Sequence, residues 1–407
     1  MTAEDAAEDA ARYVVNLTLK ERAERLQLLL RRSHSSPELS QLTRVVAISD
    51  IHTDHNSSNW DWLARLPDQK DALCIVAGDV SESLVGLSKT FRLLQPKFGA
   101  LSFVVGNHDL WVGAHGSCRD EMRRTDASIH PRLTSADKLL ATLELCERLR
   151  VCHGPALLAG VCVVPLFSWY ILGDQGRGGR SLYVDKEGED AKLTHEAWSD
   201  HYCCDWPEAG SATARAYGLH GAGGGTAPGG EVALWMASLN EARLAQGAAT
   251  DSWGGRDIVT FSHFLGREEL IFENDEEGAI RRRLSGKRDA DGKRLRDPNV
   301  WFNFSRVAGC DVIDEQARAL RTRCHVHGHQ HRQRDRTIGG VRYVSHCLAY
   351  PSERRDGMCV LGGPEANPKE VWREEREVAP PPSGAAGGGE EGGGRRPLEA
   401  HDTAASV

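Results

Sequence analysis

Short apolar runs alternate with amphipathic stretches along most of the chain, and this alternation predicts an α/β fold. The apolar runs predict strands near residues 44–49, 73–77, 101–105, 161–166, 257–262, 324–327 and 340–345. Apolar residues at three- and four-residue spacing predict helices near 60–66, 83–95, 134–149, 231–245 and 311–322. In sheets of this kind a functional site lies at the carboxyl ends of the strands.

The same pattern divides the chain into regions. Residues 1–41 are predicted to be an amphipathic helical segment with a linker, which either packs on the main domain or binds a partner. The main domain is expected to span 42–377. An insertion at about 171–231, rich in Gly and small residues, is either a rim over the site or disordered. Residues 378–407, rich in Gly, Pro and Glu, are expected to form a disordered tail.

Polar side chains of the kinds that bind metals follow three of the predicted strands. Asp50 and His52 follow the first, Asp79 follows the second, and Asn107 and His108 follow the third. Residues two apart on an extended strand face the same side, so Asp50 and His52 can bind one ion together. The repetition at successive strand ends carries more weight than any one of these short motifs.

The last third of the chain repeats this arrangement. His263 ends one predicted strand, and His329 and His331 follow another at the same two-residue spacing. Oxygen and nitrogen ligands without a thiolate suit Mn, Fe or Zn. Two adjacent ions need a carboxylate that bridges them, and Asp79 is the natural candidate. The chain has 17 His; we expect most to be ordinary, with His153 in a surface or loop position.

The order of these motifs resembles the calcineurin-like metallophosphoesterase superfamily over about residues 43–360. The resemblance implies a four-layer α/β sandwich of two mixed sheets flanked by helices. It also implies two divalent or trivalent metal ions, Mn, Fe or Zn. By matching position, the first ion would be held by Asp50, His52, Asp79 and His331, and the second by Asp79, Asn107, His263 and His329.

The resemblance also implies a reaction. The two ions would activate a hydroxide for attack on a phosphomonoester or a small phosphodiester, and His108 would protonate the leaving oxygen. In relatives with the longer Gly-Asp-x-x-Asp motif, the second acid orients this histidine, and here that position is Glu82. This departure, together with Asp109 where the protein serine/threonine phosphatases have Glu, disfavours that branch.

The amino-acid composition restricts the kinds of molecule that the protein is expected to bind. The 50 Lys and Arg against 58 Asp and Glu give a net charge of −8, which disfavours nucleic acid as a partner and favours a small phosphorylated substrate. No apolar stretch is long enough to span a membrane. The 11 Cys without a secretory signal indicate reduced thiols and a cytoplasmic location. The sequence leaves the oligomeric state open.

Two other functions stay open at this point. A non-catalytic protein-binding scaffold could keep this fold, although such a scaffold would be expected to have lost part of the ligand set. A nuclease would need a basic groove, and only the basic cluster at 281–288 suggests one.

Overall fold

The computed structural model describes residues 2–54, 57–113, 133–172, 180–184, 198–219, 230–249, 253–274, 303–355, 359 and 367–374. The chain divides into two units, Met1–Glu374 and Glu375–Val407, and every described residue belongs to the first. The predicted tail at 378–407 therefore lies outside the described residues, and the predicted domain boundaries stay predictions.

The first sheet has four strands, numbered in chain order: β1 (Arg44–Ile48), β2 (Gln69–Ala77), β3 (Phe98–Val104) and β10 (Lys369–Arg373). Their spatial order is β10-β1-β2-β3. β1, β2 and β3 are parallel, whereas β10 pairs antiparallel with β1 at the edge. The last six residues of β2 are all buried, as expected of a central strand that is covered on both faces.

The second sheet has six strands: β4 (Ala156–Leu157), β5 (Val161–Pro165), β6 (Asp257–Phe261), β7 (Cys324–His327), β8 (Arg334–Ile338) and β9 (Val341–Ser345). Their order is β4-β5-β6-β7-β9-β8. The four inner strands are parallel, and the two edge strands, β4 and β8, are antiparallel to their neighbours. Both sheets are mixed, which confirms the predicted α/β sandwich flanked by helices.

Two N-terminal helices, α1 (Ala3–Asn16) and α2 (Leu19–Leu30), pack on the body of the domain. Each begins with a capping box, in which Thr2 or Thr18 exchanges hydrogen bonds with the residue three positions later. α1 buries a face of alanines against α5 (Leu84–Leu94) and α6 (Ser135–Leu149). Small side chains on this face let the three helices approach closely.

The other helices are shorter. They are α3 (Pro37–Ser40), α4 (Ser57–Arg65), α7 (Asp200–Cys203), α8 (Ala212–Tyr217), α9 (Gly230–Ser238), α10 (Glu241–Ala248), α11 (Val312–Ala319) and α12 (Pro351–Arg355). Among the described residues, 3₁₀ turns occur at His108–Leu110, Glu268–Leu270 and Phe304–Arg306. None of the helices in the described ranges is both long and apolar enough to cross a membrane.

The single helix predicted at 231–245 is wrong, because the chain forms α9 and α10 there. The break lies at Asn240, which is fully buried. Its side chain accepts a hydrogen bond from the backbone N–H of Phe167 and donates one to the carbonyl of Phe167, both at 2.9 Å. These two hydrogen bonds attach the turn between α9 and α10 to the loop that contains Phe167.

The longest described part of the predicted insertion, 198–219, is packed against the domain. It contains α7 and α8, and it buries Cys204, Trp206 and Tyr217 in the main core. The backbone N–H of Ser135 donates to the carbonyl of Asp205 at 2.7 Å, which ties this segment to the start of α6. A role as a rim over the site stays a prediction.

Candidate metal centre

The seven predicted metal ligands lie together where parallel strands of both sheets end. Three strands of the first sheet, β1, β2 and β3, and two of the second, β6 and β7, deliver them. The backbone N–H of His329 donates to Oδ1 of Asp50 at 2.8 Å and so joins the two sheets. All seven are buried: Asp50, His52, Asp79, Asn107, His263, His329 and His331, which are called the strand-end cluster below.

Five of the seven ligands have left-handed backbone torsions, which residues other than glycine rarely adopt. Their φ angles range from 44° at His52 to 73° at His329. Each such residue costs on the order of 1 kcal/mol or more, and strain of this kind collects at functional sites. Besides His52 and His329, the ligands with positive φ are Asp50, Asp79 and His331. The turns after the strands therefore hold these side chains in place at a conformational cost.

Two glycines allow the close approach of the sheets. At Gly78, where φ is +82°, a Cβ would lie 2.6 Å from Nδ1 of His263. At Gly328 it would lie 2.7 Å from Oδ2 of Asp50. A side chain at either position would displace a predicted ligand, so the glycines belong to the construction of the site.

One group of ligand atoms forms around Asp50 and His331. The ligand atoms of Asp50, His52, Asp79 and His331 all lie within 4.8 Å of one another. Nε2 of His331 is 3.5 Å from Oδ1 of Asp50, and Nε2 of His52 is 3.9 Å from Oδ2 of Asp79. The two Nε2 atoms of His52 and His331 are only 2.9 Å apart. These four residues are the set predicted for the first ion.

A second group forms around His263. The ligand atoms of Asp79, His263 and His329 also lie within 4.8 Å of one another. Nε2 of His263 is 3.3 Å from Oδ2 of Asp79 and 3.1 Å from Oδ1 of Asn107. Asp79 is therefore common to both groups, as a bridging carboxylate would be.

Hydrogen bonds at the outer nitrogens define which histidine atoms face the centre. Nδ1 of His263 donates to the carbonyl of Ala77 at 2.9 Å, and Nδ1 of His331 donates to Oε2 of Glu353 at 2.6 Å. Nε2 of His329 is 3.0 Å from the carbonyl of Val307 and donates to it. In the neutral form of each ring, the remaining nitrogen has a lone pair that can bind a cation. Lone pairs of imidazoles, carboxylates and an amide oxygen thus converge on the centre.

The electrostatics favour positive charge in this position. Burial opposes protonation of His263, but the Asp79 carboxylate outweighs it and raises the pKa of His263 to about 9. Burial likewise opposes protonation of His331, and Glu353 raises its pKa to about 9. Within the described residues, only histidines form ion pairs with Asp50 and Asp79, at 3.3 to 3.9 Å. A metal cation would supply the charge that this donor set lacks, so the residues fit a metal.

His108 lies beside the cluster and is held from three sides. Its backbone N–H donates to Oδ1 of Asp79 at 2.9 Å, and its Nε2 is 3.9 Å from Oδ2 of Asp79. Its Nδ1 is 3.4 Å from Oε1 of Glu82, so the pair predicted from the sequence is in contact. The ring of Trp111 lies against the imidazole with a centroid separation of 3.6 Å.

Asp109, the last residue of the Gly-Asn-His-Asp motif, organises the backbone. Its carboxylate accepts four backbone N–H groups at 2.8 to 3.2 Å: those of Gly106, Asp79, Val80 and Ser81. It therefore fixes the turn that presents Asp79 relative to the turn that presents Asn107. Burial and the neighbouring Asp79 raise the pKa of Asp109 to about 6, although these four hydrogen bonds oppose the rise.

Two further carboxylates contact the ligands, and the sequence analysis assigned neither of them a role. Glu353, in α12, accepts hydrogen bonds from His331 and from the backbone N–H of Tyr350. Asp200, in α7, accepts a hydrogen bond from Nδ2 of Asn107 at 2.9 Å. Neither residue has a signal in the sequence. Glu353 lies 22 residues after His331, and Asp200 lies in the insertion, 93 residues after Asn107.

A different group of histidines and a carboxylate lies under the N-terminal helices. His34, Glu147 and His153 also have possible ligand atoms within 4.8 Å of one another; we call them the N-terminal histidine cluster. Nε2 of His153 donates to Oε1 of Glu147 at 2.8 Å, and Arg32 donates two hydrogen bonds to the same carboxylate. His153 lies in a loop, one of the two positions expected for it, but it is not a surface residue, because its side chain is buried.

Residues 43–223 match the model of the calcineurin-like phosphoesterase family. The match confirms the predicted resemblance, and a phosphoesterase family agrees with the predicted enzyme class, a hydrolase acting on ester bonds. The second sheet contributes three histidines to the candidate centre, and all three lie beyond the matched residues: His263, His329 and His331.

Two comparisons match this chain to proteins of Mycobacterium tuberculosis. A protein named acyl-carrier-protein phosphodiesterase PptH is 38% identical over 66 residues, which are 16% of this chain and 20% of that relative. The crystal structure of phosphopantetheinyl hydrolase (PptH) has a TM-score of 0.51 and 21% identity, and the match covers 86% of this chain and 100% of that chain. At this identity the structural likeness supports the fold.

Proposed function

We propose that this chain is a phosphoesterase that uses two metal ions bound at the strand-end cluster. One observation carries the proposal, namely that the Asp79 carboxylate belongs to both groups of ligand atoms. Two ions roughly 3.5–4 Å apart need such a shared carboxylate. The ligands in the proposal are Asp50, His52, Asp79 and His331 for one ion and Asp79, Asn107, His263 and His329 for the other.

The ions, when bound, lower the pKa of a shared water and neutralise the charge of the phosphoryl group. The protein's own contribution is to orient the substrate and to move a proton. His108 stands next to the ligands. Its Nδ1 contacts Glu82, and its Nε2 lies 3.9 Å from Oδ2 of Asp79, so Nε2 is the atom that protonates the leaving oxygen. Glu82 accepts from Nδ1–H, so that the imidazolium carries its second proton on Nε2; when that proton passes to the leaving oxygen, the ring becomes the neutral tautomer with its proton on Nδ1.

Within the phosphoesters, we favour a phosphodiester. The M. tuberculosis relative is named as a phosphodiesterase of the acyl carrier protein, and it shares 38% identity with a 66-residue stretch of this chain. A phosphodiester carries one negative charge, and its leaving group is an alkoxide that needs the proton of His108. An acyl carrier protein that bears phosphopantetheine is therefore a substrate to test beside small diesters.

Hydrolysis of chromogenic esters tests the proposal. With Mn²⁺ the purified protein should hydrolyse bis(p-nitrophenyl) phosphate faster than p-nitrophenyl phosphate, and Asp79→Ala should abolish both activities and reduce the bound metal. Glu147→Gln is a matched control, because it alters a carboxylate beside histidines outside the strand-end cluster. Absence of turnover in the metal-loaded protein, with bound metal unchanged by Asp79→Ala, would contradict the dinuclear site.

The other two functions predict different results in the same assay. A non-catalytic scaffold would give no turnover on any ester, even when metal is bound. A nuclease would cleave single- or double-stranded nucleic acid in preference to the small diester; the basic cluster at 281–288, on which that alternative rests, lies outside the described residues.

A further inference from the structure

The insertion contributes a buried carboxylate that contacts the candidate centre. Asp200 begins α7, and its side chain has no exposed surface. Nδ2 of Asn107 and Nε1 of Trp111 donate to its Oδ1 at 2.9 and 2.7 Å, and Nε1 of Trp198 donates to its Oδ2 at 2.8 Å. One carboxylate thus accepts three side-chain hydrogen bonds, two from the loop after β3 and one from its own segment.

The first of these bonds determines which atom Asn107 presents to the metal. An Asn side chain has nearly the same shape in two orientations that exchange oxygen and nitrogen, and only the oxygen can bind a cation. An ionised carboxylate can only accept, so Asp200 holds the NH₂ group. Oδ1 of Asn107 is then directed to the centre, 3.1 Å from Nε2 of His263.

The second bond reaches the proposed proton donor. Trp111 donates to the same oxygen of Asp200, and its ring lies against the imidazole of His108 at 3.6 Å between centroids. The carbonyl of Cys203, in the same short helix, accepts the backbone N–H of Val112 at 2.9 Å. The loop after the Gly-Asn-His-Asp motif is therefore attached to the insertion by both side-chain and backbone contacts.

The third bond extends the connection to the second sheet. Trp198 donates to the other oxygen of Asp200, and its indole lies edge-on to the ring of His329 with centroids 5.8 Å apart. The described Lys and Arg side chains form no ion pair with Asp200. A buried carboxylate without a cationic partner is costly, and packing alone would not require one.

From these contacts we infer that Asp200 is a positioning residue for the reaction under Proposed function: it sets the orientation of the Asn107 amide toward the second ion and the placement of Trp111 against His108. The insertion that carries Asp200 is thereby part of the catalytic architecture. The inference rests on the proposed function, because it assigns Asn107 to the second ion.

Asp200→Asn tests the inference with little change of volume. In one orientation the oxygen of the new Asn side chain accepts from Asn107 and Trp111, but its NH₂ group then faces the Nε1–H of Trp198, which is also a donor. In the flipped orientation the oxygen accepts from Trp198, and the hydrogen bonds from Asn107 and Trp111 are lost. Loss of such a partner of a metal ligand lowers metal affinity or activity about 10–100-fold. We expect bound Mn²⁺ to fall from two equivalents toward one at limiting metal, with a matching loss of kcat.

Asp314→Asn is the matched control. Asp314 is a buried carboxylate that accepts hydrogen bonds from Tyr343, Arg267 and Arg318, away from the strand-end cluster. The Asp314→Asn variant should have a lower melting temperature than the wild type, with the same metal content and the same kcat. Trp111→Phe provides a second variant, which keeps a ring beside His108 but loses the bond to Asp200; it should retain both ions and alter the pH dependence of kcat.

The outcomes separate this inference from the proposed function. If the wild type binds two Mn²⁺ and turns over diester, and Asp200→Asn matches Asp314→Asn in metal content and kcat, the role of Asp200 is overturned and the function stands. A wild-type pH profile in Trp111→Phe would also overturn the part that concerns His108. If the metal-loaded wild type does not hydrolyse any ester, the proposed function fails, whatever Asp200→Asn does to metal content.

Discussion

The strand-end cluster and the N-terminal histidine cluster contain the same residue types but opposite charge balances. In the N-terminal cluster, Arg32 donates to Glu147 at 3.3 and 3.0 Å, and the carboxylate is neutralised. Burial lowers the pKa of His34 to about 4 and also lowers that of His153. In the strand-end cluster the pKa of His263 and His331 is instead raised to about 9. The two clusters thus differ in whether an arginine neutralises their carboxylates, and only the strand-end cluster has the charge balance that a bound cation would complete.

The backbone makes the same distinction. Five strand-end ligands have positive φ, whereas none of His34, Glu147 and His153 does. Strained torsions that the surrounding structure holds in place are typical of functional sites, and ordinary ion-pair networks do not need them. Proximity of histidines and carboxylates alone would have given both clusters equal weight as metal sites.

The replacement of His108 should have the largest effect among variants that keep the ligands. Asn at this position cannot donate a proton to the leaving oxygen, so kcat for a diester with a poor leaving group should fall about 10²–10⁴-fold. Two equivalents of Mn²⁺ should remain bound, as measured by elemental analysis after gel filtration. A kcat close to that of the wild type would remove His108 from the mechanism.

Glu353→Gln should have the next largest effect. Gln can still accept the proton of Nδ1 of His331, but it lacks the charge that raises the basicity of the ring. Mn²⁺ affinity should fall about 10–100-fold, and excess Mn²⁺ should restore most of the activity. A titration of activity against Mn²⁺ measures this shift; equal half-saturation in variant and wild type would show that Glu353 does not support a metal ligand.

Glu147→Gln should have the smallest effect on catalysis, with activity and metal content unchanged. It should cost about 1–2 kcal/mol of unfolding free energy at pH 7, because Arg32 and His153 lose a charged acceptor. The hydrogen bond from His153, followed by that from Arg32, lowers the pKa of Glu147 to about 2 from 4.5, although burial opposes the shift. The stabilisation is therefore present above pH 4.5 and is lost as the pH falls toward 2.

Urea unfolding at several pH values measures this effect. The free-energy difference between wild type and Glu147→Gln should be constant above about pH 5 and should shrink as the pH is lowered through the range in which Glu147 binds a proton. A loss of bound Mn²⁺ in Glu147→Gln would indicate instead that the N-terminal histidine cluster holds metal, and the contrast between the two clusters would fail.

The strand ends were predictable because parallel strands, by their geometry, bring their carboxyl ends together. Each ligand that follows a buried strand, from Asp50 to His331, lies where that rule places it. β8 and β10 were missed because an edge strand exposes one side, and in β8 charged residues interrupt the apolar pattern that identifies a strand. The periodic pattern of apolar residues reflects which side chains are buried, so it identifies a strand least well where the strand is only partly buried.

Asp200 could not be found from the sequence, for a different reason. No pattern in the insertion relates it to Asn107, which lies 93 residues earlier. Only the folded chain brings the two side chains into contact. The same holds for His153 and Glu147, which Arg32 and His34 contact from the segment that follows α2.

Anomalous diffraction from crystals loaded with Mn²⁺ tests the central claim most directly. The account predicts two peaks roughly 3.5–4 Å apart on either side of the Asp79 carboxylate, one beside His52 and His331 and the other beside His263 and Asn107. It predicts no peak between His34, Glu147 and His153. A single peak that Asp79 does not contact, or occupancy of the N-terminal histidine cluster with the strand ends empty, would contradict the account.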